Sequence, residues 1–360
     1  MVQRIIGGKA GNRRPTKAPG LPASSVARPP EQAAGPPSAP EVSWVRVDDD
    51  GDGQRLDNFL IKRLKGVPKT HIYRVIRSGE VRVNKGRAAA DTRLSHGDEV
   101  RVPPVRVSQT SAGQPQAVSA PPREFPVVME DEALIVINKP AGVAVHGGSG
   151  VSSGVIEQLR QARPQARFLE LVHRLDKETS GLLIIAKKRQ ALVALQEQFR
   201  QRETGKTYAA LVTGEWPRNK KVIDVALHKY LDAAGERRVR VVDDDHDEGR
   251  RSITLVQVRE IYAGFTLLDV TIKTGRTHQI RVHLASQGHP IVGDEKYGDF
   301  ALNKALAKGE LVAGHRFDRM FLHAAQLRFE HPQTSEQVEL QAALPQDCLN
   351  LIAALQKTTP

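Results

Sequence analysis

Two short stretches hold the residues best equipped for chemistry. The first, His173-Arg174-Leu175-Asp176-Lys177-Glu178-Thr179-Ser180-Gly181-Leu182, sets a carboxylate between two cations and ahead of a Ser-Gly turn. An anionic carboxylate in such a setting serves as a nucleophile or a base. A plain loop ion pair has the same composition, and Glu178 two residues on does not make a glycosidase-type carboxylate pair. The second stretch is Thr274-Gly275-Arg276-Thr277-His278-Gln279-Ile280-Arg281-Val282-His283. Gly275 ends a strand, and Thr277 suits the N-cap of a helix that projects Gln279, Arg281 and His283 in turn. His278 and His283 miss the i, i+4 spacing that places two metal ligands on one helical face, so no metal is expected. An arginine-rich helix start suits phosphate or a buried carboxylate instead.

A third cluster is basic. Lys62, Arg63, Lys65, Lys69, His71, Arg74 and Arg77 fall in helical sequence, and Arg82 and Lys85 follow in a strand and turn. Positions 62, 65 and 69, and separately 70, 74 and 77, are spaced to share helical faces. Polyphosphates reward such clusters through counterion release, although an ordinary solvated face has the same composition. Two tempting motifs fail on spacing. Gly205-Lys206-Thr207 imitates the end of a P-loop, but Arg200 stands where the first glycine is needed. Ser180 lacks the Gly-x-Ser-x-Gly elbow of an esterase.

The elements that must position these residues divide the 360-residue chain. Residues 1–50 read as a disordered, basic, proline-rich arm. Eight prolines and five glycines before residue 42 preclude a regular helix or sheet there. Residues 54–104 show two helical periods, Leu56/Phe59/Leu60/Leu64 and Ile72/Val75/Ile76, and then short strands at Val81–Val83 and Val100–Val102. Residues 105–123 read as a linker. Residues 124–357 carry strands at Leu134–Asn138, Leu182–Ala186, Tyr208–Val212, Ser252–Tyr262 and Phe265–Lys273. Their helices fall at Val155–Ala162, Gln190–Arg200, Thr277–Ser286 and Cys348–Gln356. Strands outnumber helices without alternating with them, which predicts an α+β domain with a mixed or antiparallel sheet. Asp243 to Glu248 reads as a solvated acidic loop.

Composition sets the outer limits. Lysine and arginine exceed aspartate and glutamate by 53 to 41, a surplus that favours a polyanionic partner. The single cysteine, Cys348, excludes an internal disulfide and a cysteine-based zinc site. No apolar run approaches the ~20 residues a membrane-spanning helix requires. No membrane association is expected, and a reducing cytoplasm is.

Residues 54–104, with RLDNFL, IYRVIRSGEVRVNKGR and LSHGDEVRV, resemble the S4 RNA-binding domain. INKPAGVAVHGG, LVHRLDKETSGLLIIAK, GKTYAALVTG, TGRTHQIRVHLASQGHPIVGDEKYG and FLHAAQLRFEHP resemble, in this order, the RluA-type family of RNA pseudouridine synthases. Together the two likenesses span about residues 54 to 357. They imply the pseudouridine synthase fold, a mixed and largely antiparallel sheet with flanking helices, preceded by a small α+β S4 domain.

The same likeness implies roles for particular residues. Asp176 would be the catalytic aspartate of an isomerisation that breaks the uridine C1′–N1 bond, rotates the base and rejoins it through C5. The residues do not choose between attack on the sugar and removal of a sugar proton. Tyr208 would stack on the base and is a candidate for C5 deprotonation, and Arg281 would pair with Asp176. Arg174 would enter the RNA stack when the uridine is flipped out. Arg276 and His278 would line the cleft, while Lys62, Lys65, Lys69, Arg74, Arg77 and Arg82 would bind RNA. No cofactor or metal is implied. The implied partner is 23S ribosomal RNA, naked or in assembling large-subunit particles, bound by a monomer. Two alternatives stay open: the same chemistry on tRNA or another RNA, and a non-catalytic S4-type assembly factor.

Overall fold

The computed structural model describes residues 42–48, 51–64, 67–104, 120–147, 153–233, 235–243, 245–312 and 314–358. Residues 1–41 of the expected arm, Lys65, and 105–119 of the expected linker lie outside that set.

The N-terminal part follows from its apolar spacing. Its elements are β1 (Ser43–Arg46), α1 (Leu56–Arg63), α2 (Lys69–Arg77), β2 (Arg82–Val83), β3 (Gly86–Arg87) and β4 (Glu99–Val102). Leu56, Phe59 and Leu60 of α1 and Ile72, Val75 and Ile76 of α2 recur at i, i+3, i+4. They bury one stripe of each helix against Val81 and Val100 of a sheet ordered β1-β4-β2-β3.

Two expectations need correction here. The arm does not extend to residue 50, because β1 pairs along its length with β4 and Val47 is 1% exposed within the same core. Trp44, Val45 and Val47 are strand-forming types, and the proline-rich stretch before them obscured the boundary. Lys62 and Lys69 also do not share a helical face. The chain leaves α1 after Arg63 and starts a new helix at Lys69, with Pro68 as its N-cap.

The larger part runs β5 (Val127–Glu130), β6 (Leu134–Lys139), α3 (Val155–Ala162), β7 (Glu170–Leu171), β8 (Ser180–Ala186), α4 (Arg189–Gln201) and β9 (Gly205–Thr213). It continues with β10 (Val222–Leu231), β11 (Arg237–Val242), β12 (Arg250–Tyr262), β13 (Phe265–Ile272), α5 (Gln279–Ser286), α6 (Phe300–Lys308), β14 (Leu322–Glu330), β15 (Gln337–Gln341) and α7 (Gln346–Thr358). Eleven strands form one sheet, ordered β11-β10-β12-β13-β9-β14-β8-β6-β5, with β15 beside β14 and β7 beside β8. Its pairs are antiparallel except β14 with β8, which is parallel. The expected mixed, largely antiparallel sheet is therefore present.

Strand β8 shows how the sheet is covered. Its seven residues are all buried, and they alternate between two cores. Leu183 and Ile185 pack with Val155, Leu159 and Ile280 on one face, whereas Leu182, Ile184 and Ala186 pack with Leu192 and Leu195 on the other. A strand with helices on both faces must read as a continuous apolar run, because period-2 alternation then separates two interiors. The four expected helices and five expected strands of this part are present with slightly shifted ends. Helix α6 and strands β5, β7, β10, β11, β14 and β15 were not anticipated.

Candidate active site

Asp176 lies in the segment between β7 and β8, which is anchored at several points. Its main-chain carbonyl accepts from the Thr179 amide at 3.2 Å, closing a turn. On its N-terminal side, His173 Nε2 accepts from the Ile184 amide at 3.2 Å, and the ring stacks on Phe199 at 4.8 Å. Burial, aided by the Lys206 charge, pushes the His173 imidazole down to about 3, so it is the neutral acceptor this bond requires.

On the C-terminal side, Gly181 has φ +111° and sits where an added Cβ would lie 2.3 Å from the Ala324 carbonyl oxygen. Only glycine lets β8 approach β14 there. Ser180, one residue earlier, hydrogen-bonds buried His323 Nδ1 at 2.9 Å and accepts from Arg319 Nη2 at 2.8 Å. Beneath the turn, the fully buried Lys139 ammonium donates to the carbonyls of Pro140, Val143 and Lys177 at 2.8–3.0 Å. Burial lowers this amine to about 7, against the pull of Glu178 and Asp176. Its three carbonyl acceptors match the three donors of the charged form.

The second expected stretch supplies the counter-charge. Arg281 on α5 donates from Nη1 to Asp176 Oδ2 at 3.2 Å. Its stronger partner is Asp294, which takes Nε and Nη2 in a bidentate pair, both bonds 2.7 Å. Asp294 is 1% exposed and also accepts from the amides of Lys296 and Tyr297 at 2.8 and 3.0 Å. Burial opposes its ionisation, but the arginine bonds, the arginine charge and these amides outweigh it and hold the carboxyl below its ordinary value. For Arg281 the balance runs the same way: desolvation is outweighed by the two carboxylates, and its guanidinium is raised. Asp294 thus fixes the fork of Arg281, and the remaining Nη1 orients Asp176. The Asp176 side chain keeps 28% exposure, so a substrate can reach it.

Three aromatic or imidazole side chains complete the cluster. Tyr208 on β9 is 7% exposed, and its phenol is raised by burial and then by the Asp176 charge. The Tyr297 hydroxyl accepts from the Val239 amide at 3.0 Å and bonds His278 Nδ1 at 2.8 Å, while its ring lies under Arg281 at 5.1 Å. His278 is lowered by burial, partly offset by Asp176, and it has φ +52°, a left-handed conformation uncommon for a residue with a side chain.

Thr277 does not cap α5, contrary to expectation. The N-cap is His278, without a side-chain bond, and Gln279 takes over the stapling. Its Oε1 accepts from the Thr274 hydroxyl at 2.8 Å and the Arg276 amide at 3.1 Å, while its Nε2 reaches the Ile253 carbonyl at 3.0 Å.

Asp176, Tyr208, Arg281 and His278 are therefore brought together. Arg174 and Arg276 are exposed on the flanking loops. Lys62, Lys69, Arg74, Arg77 and Arg82 lie exposed on the N-terminal part, and Lys65 is outside the described residues. His283 turns away into the interior, bonded to Thr254 Oγ1 at 2.9 Å. Leu182 and Leu183 belong to the two cores. Sequence reasoning assigned no role to Asp294, Lys139, Tyr297, Gln279 or the Ser180–His323–Arg319 chain. The available signal was the buried arginine itself, which needs a carboxylate beyond the one it presents to a substrate. Among the described residues no group of three or more His, Cys, Asp or Glu side chains is placed to hold a metal ion.

Comparison with known proteins agrees with this architecture. A family model described as RNA pseudouridylate synthase matches residues 133–286, and one described as S4 domain matches residues 54–100. The ribosomal large subunit pseudouridine synthase C of Escherichia coli strain K12 is 49% identical over 307 residues, 85% of this chain and 94% of its own. That of Haemophilus ducreyi is 47% identical over 317 residues, 88% of this chain and 96% of its own. Among solved structures, human RNA pseudouridylate synthase domain containing 4 superposes with a TM-score of 0.52 at 26% identity. It covers 64% of this chain and 93% of that one. With such identity across most of its length and the same fold, the chain belongs to the RNA pseudouridylate synthase family and carries an S4 domain ahead of its synthase domain.

Proposed function

We propose that this protein converts uridines of 23S ribosomal RNA to pseudouridine, with Asp176 as the catalytic carboxylate. The observation that carries the reading is the chain Asp294–Arg281–Asp176, in which a buried ion pair aims one remaining N–H at a carboxylate open to substrate. In the reaction the C1′–N1 bond breaks, the uracil turns, and a C5–C1′ bond forms. N1 gains a proton and C5 loses one, so atoms balance without a cofactor. Asp176 starts the cleavage, and the fixed Arg281 holds its reactive oxygen in place, which is the contribution of a preorganised site. Tyr208 enters as a neutral phenol under the uracil. It can accept the C5 proton only after its own has left, and both burial and the Asp176 charge oppose that loss. The target base must leave the RNA stack to reach a carboxylate set between loops, and exposed Arg174, two residues before Asp176, fills the vacated place.

The ribosomal RNA of the large subunit is favoured by the names of relatives nearly half identical over this length and by the S4 domain with its exposed basic helices. The protein acts as a monomer in the cytoplasm, on naked RNA or on assembling particles. No helix among the described residues is long and apolar enough to cross a membrane.

The test is carbodiimide mapping of pseudouridine in unmodified 23S RNA and bulk tRNA, incubated with wild type or Asp176→Asn. New stops in 23S RNA that disappear with the variant, while RNA affinity stays within about twofold, are expected. Stops confined to tRNA overturn the substrate, and stops that persist with Asp176→Asn overturn the assignment of the carboxylate.

A further inference from the structure

The S4 domain has a second charged surface, on the side of its sheet away from the helices. In an antiparallel sheet, directly opposed residues point to the same face. Trp44 of β1 stands opposite Arg101 of β4, Arg101 opposite Arg82 of β2, and Arg82 opposite Arg87 of β3. One tryptophan and three arginines therefore cross all four strands in a single row. The row beside it, Val45, Val100 and Val83, packs into the core with α1 and α2. The tryptophan–arginine row consequently points away from the buried stripes of α1 and α2, and at its β3 end Arg87 lines one pocket with Tyr73 and Arg77 of α2.

The side chains in this row are prepared for a ligand. The Trp44 indole is 50% exposed, unusual for the largest apolar side chain on a solvent face. Arg82 is steadied by backbone carbonyls, from Nε to Gly79 at 3.3 Å and from Nη1 to Lys85 at 3.4 Å, and Arg101 likewise by the Glu80 carbonyl. Carbonyls hold a guanidinium without cancelling its charge. Among the described residues none of the three arginines is in an ion pair, and Glu99 on the same face stands opposite Arg46 in a neighbouring row. At sheet spacing the row spans ~14 Å. An indole for stacking among uncompensated guanidiniums is the chemistry of single-stranded nucleic-acid recognition. A base stacks on an aromatic whatever its identity, and arginines take the phosphates.

We infer that the outer face of this sheet binds an unpaired RNA segment, with Trp44 as the base platform and Arg82, Arg87 and Arg101 as the phosphate track. The inference rests on an RNA substrate and adds to it a site for single-stranded RNA on the sheet, which meets the helical face only where Arg87 lies beside Arg77.

The chain has two tryptophans, and the other, Trp216, is 1% exposed with its Nε1 bonded to the Lys220 carbonyl at 2.8 Å. Indole quenching by RNA therefore reports on Trp44. The full-length protein is titrated with a short oligoadenylate and with a blunt RNA duplex of equal length, and affinity is read independently by anisotropy of labelled oligonucleotide. The oligoadenylate is expected to quench the emission and the duplex not to do so. Trp44→Ala weakens oligoadenylate binding about tenfold and Trp44→Phe restores most of it. Arg82→Gln and Arg101→Gln each lower the slope of log affinity against log salt by ~0.7.

Equal quenching by the duplex, or unchanged affinity in Trp44→Ala, overturns the inference. Quenching that grows with protein concentration without RNA assigns the face to a second copy and overturns it too. Isomerisation of 23S RNA by the wild type is measured alongside. If it persists without oligoadenylate quenching, only the sheet-face site falls, and if it is absent, the substrate reading falls.

Discussion

The Asp176 cleft and the S4 domain use the same residue type in opposite ways. In the cleft, Arg281 is buried, with Nε and Nη2 closed on Asp294 and Nη1 on Asp176. In the S4 domain, Arg82 and Arg101 are held by carbonyls and keep their full charge toward solvent. The first arrangement is electrostatics at close range and low dielectric, where geometry is held and salt screens little. The second is a counterion-exchange surface, adaptable and salt-dependent. The comparison teaches that a net positive charge says where RNA is attracted but not where it is altered. The cluster we propose as the altering site joins one guanidinium to two carboxylates.

The difference can be broken at its buried end with the largest effect. Asp294→Ala strands the Arg281 charge without its main partner, and unfolding in urea should show a loss of about 3–5 kcal/mol, with isomerisation abolished. Replacing both partners, Arg281→Met with Asp294→Leu, should recover most of the stability but none of the activity, since no group then aims Asp176. If the double variant is as unstable as the single one, the pair is a packing element rather than an orienting one.

Acid should act on the same interior with a smaller effect per group. Burial lowers His173 to about 3 and His283 and His323 to about 4. Below pH ~6.5 the unfolded chain takes up protons that the folded chain refuses, so stability falls as pH drops from ~6.5 toward ~4. Above that range it should be flat with respect to these groups. Each histidine contributes about 3 kcal/mol by pH 4, and His323→Gln should make the acid limb of the stability profile shallower.

The exposed end should yield the smallest effect. Lys69→Gln with Arg74→Gln should weaken RNA binding only several-fold at moderate salt. It should lower the slope of log affinity on log salt by about 1–2, and leave single-turnover isomerisation at saturating RNA unchanged. A matching fall in the turnover rate would mean that the helical face positions the uridine, and the contrast between the two regions would weaken.

Legibility differed along the chain for physical reasons. β8 and α2 were readable because their burial is one-dimensional, a continuous apolar run in one and an i, i+3, i+4 stripe in the other. Helix α6 was not, because only Leu306 of its nine residues is fully buried and no stripe forms. Yet its Asn303 clamps the Asp294 turn, accepting from the Gly293 amide at 2.8 Å and donating to the Asp294 carbonyl at 3.0 Å. Strand β14 escaped notice because His323, Ala324 and Ala325 interrupt its apolar alternation where it meets β8 and β9. Strand β1 was lost to the composition of its neighbours rather than to its own residues.

Sequence alone determined the family, the two classes of element, the carboxylate we propose as catalytic and the basic character of the N-terminal domain. Each of these depends on residue type and local spacing. Tertiary structure alone decided which carboxylates Arg281 joins. Asp176 lies 105 residues away in the chain and Asp294 lies 13 away, yet the nearer one is the buried anchor and the farther one the exposed, oriented group. Local spacing cannot encode that choice. A bidentate pair in a low-dielectric interior forms only where packing removes water from both partners, and packing joins segments that are remote in sequence.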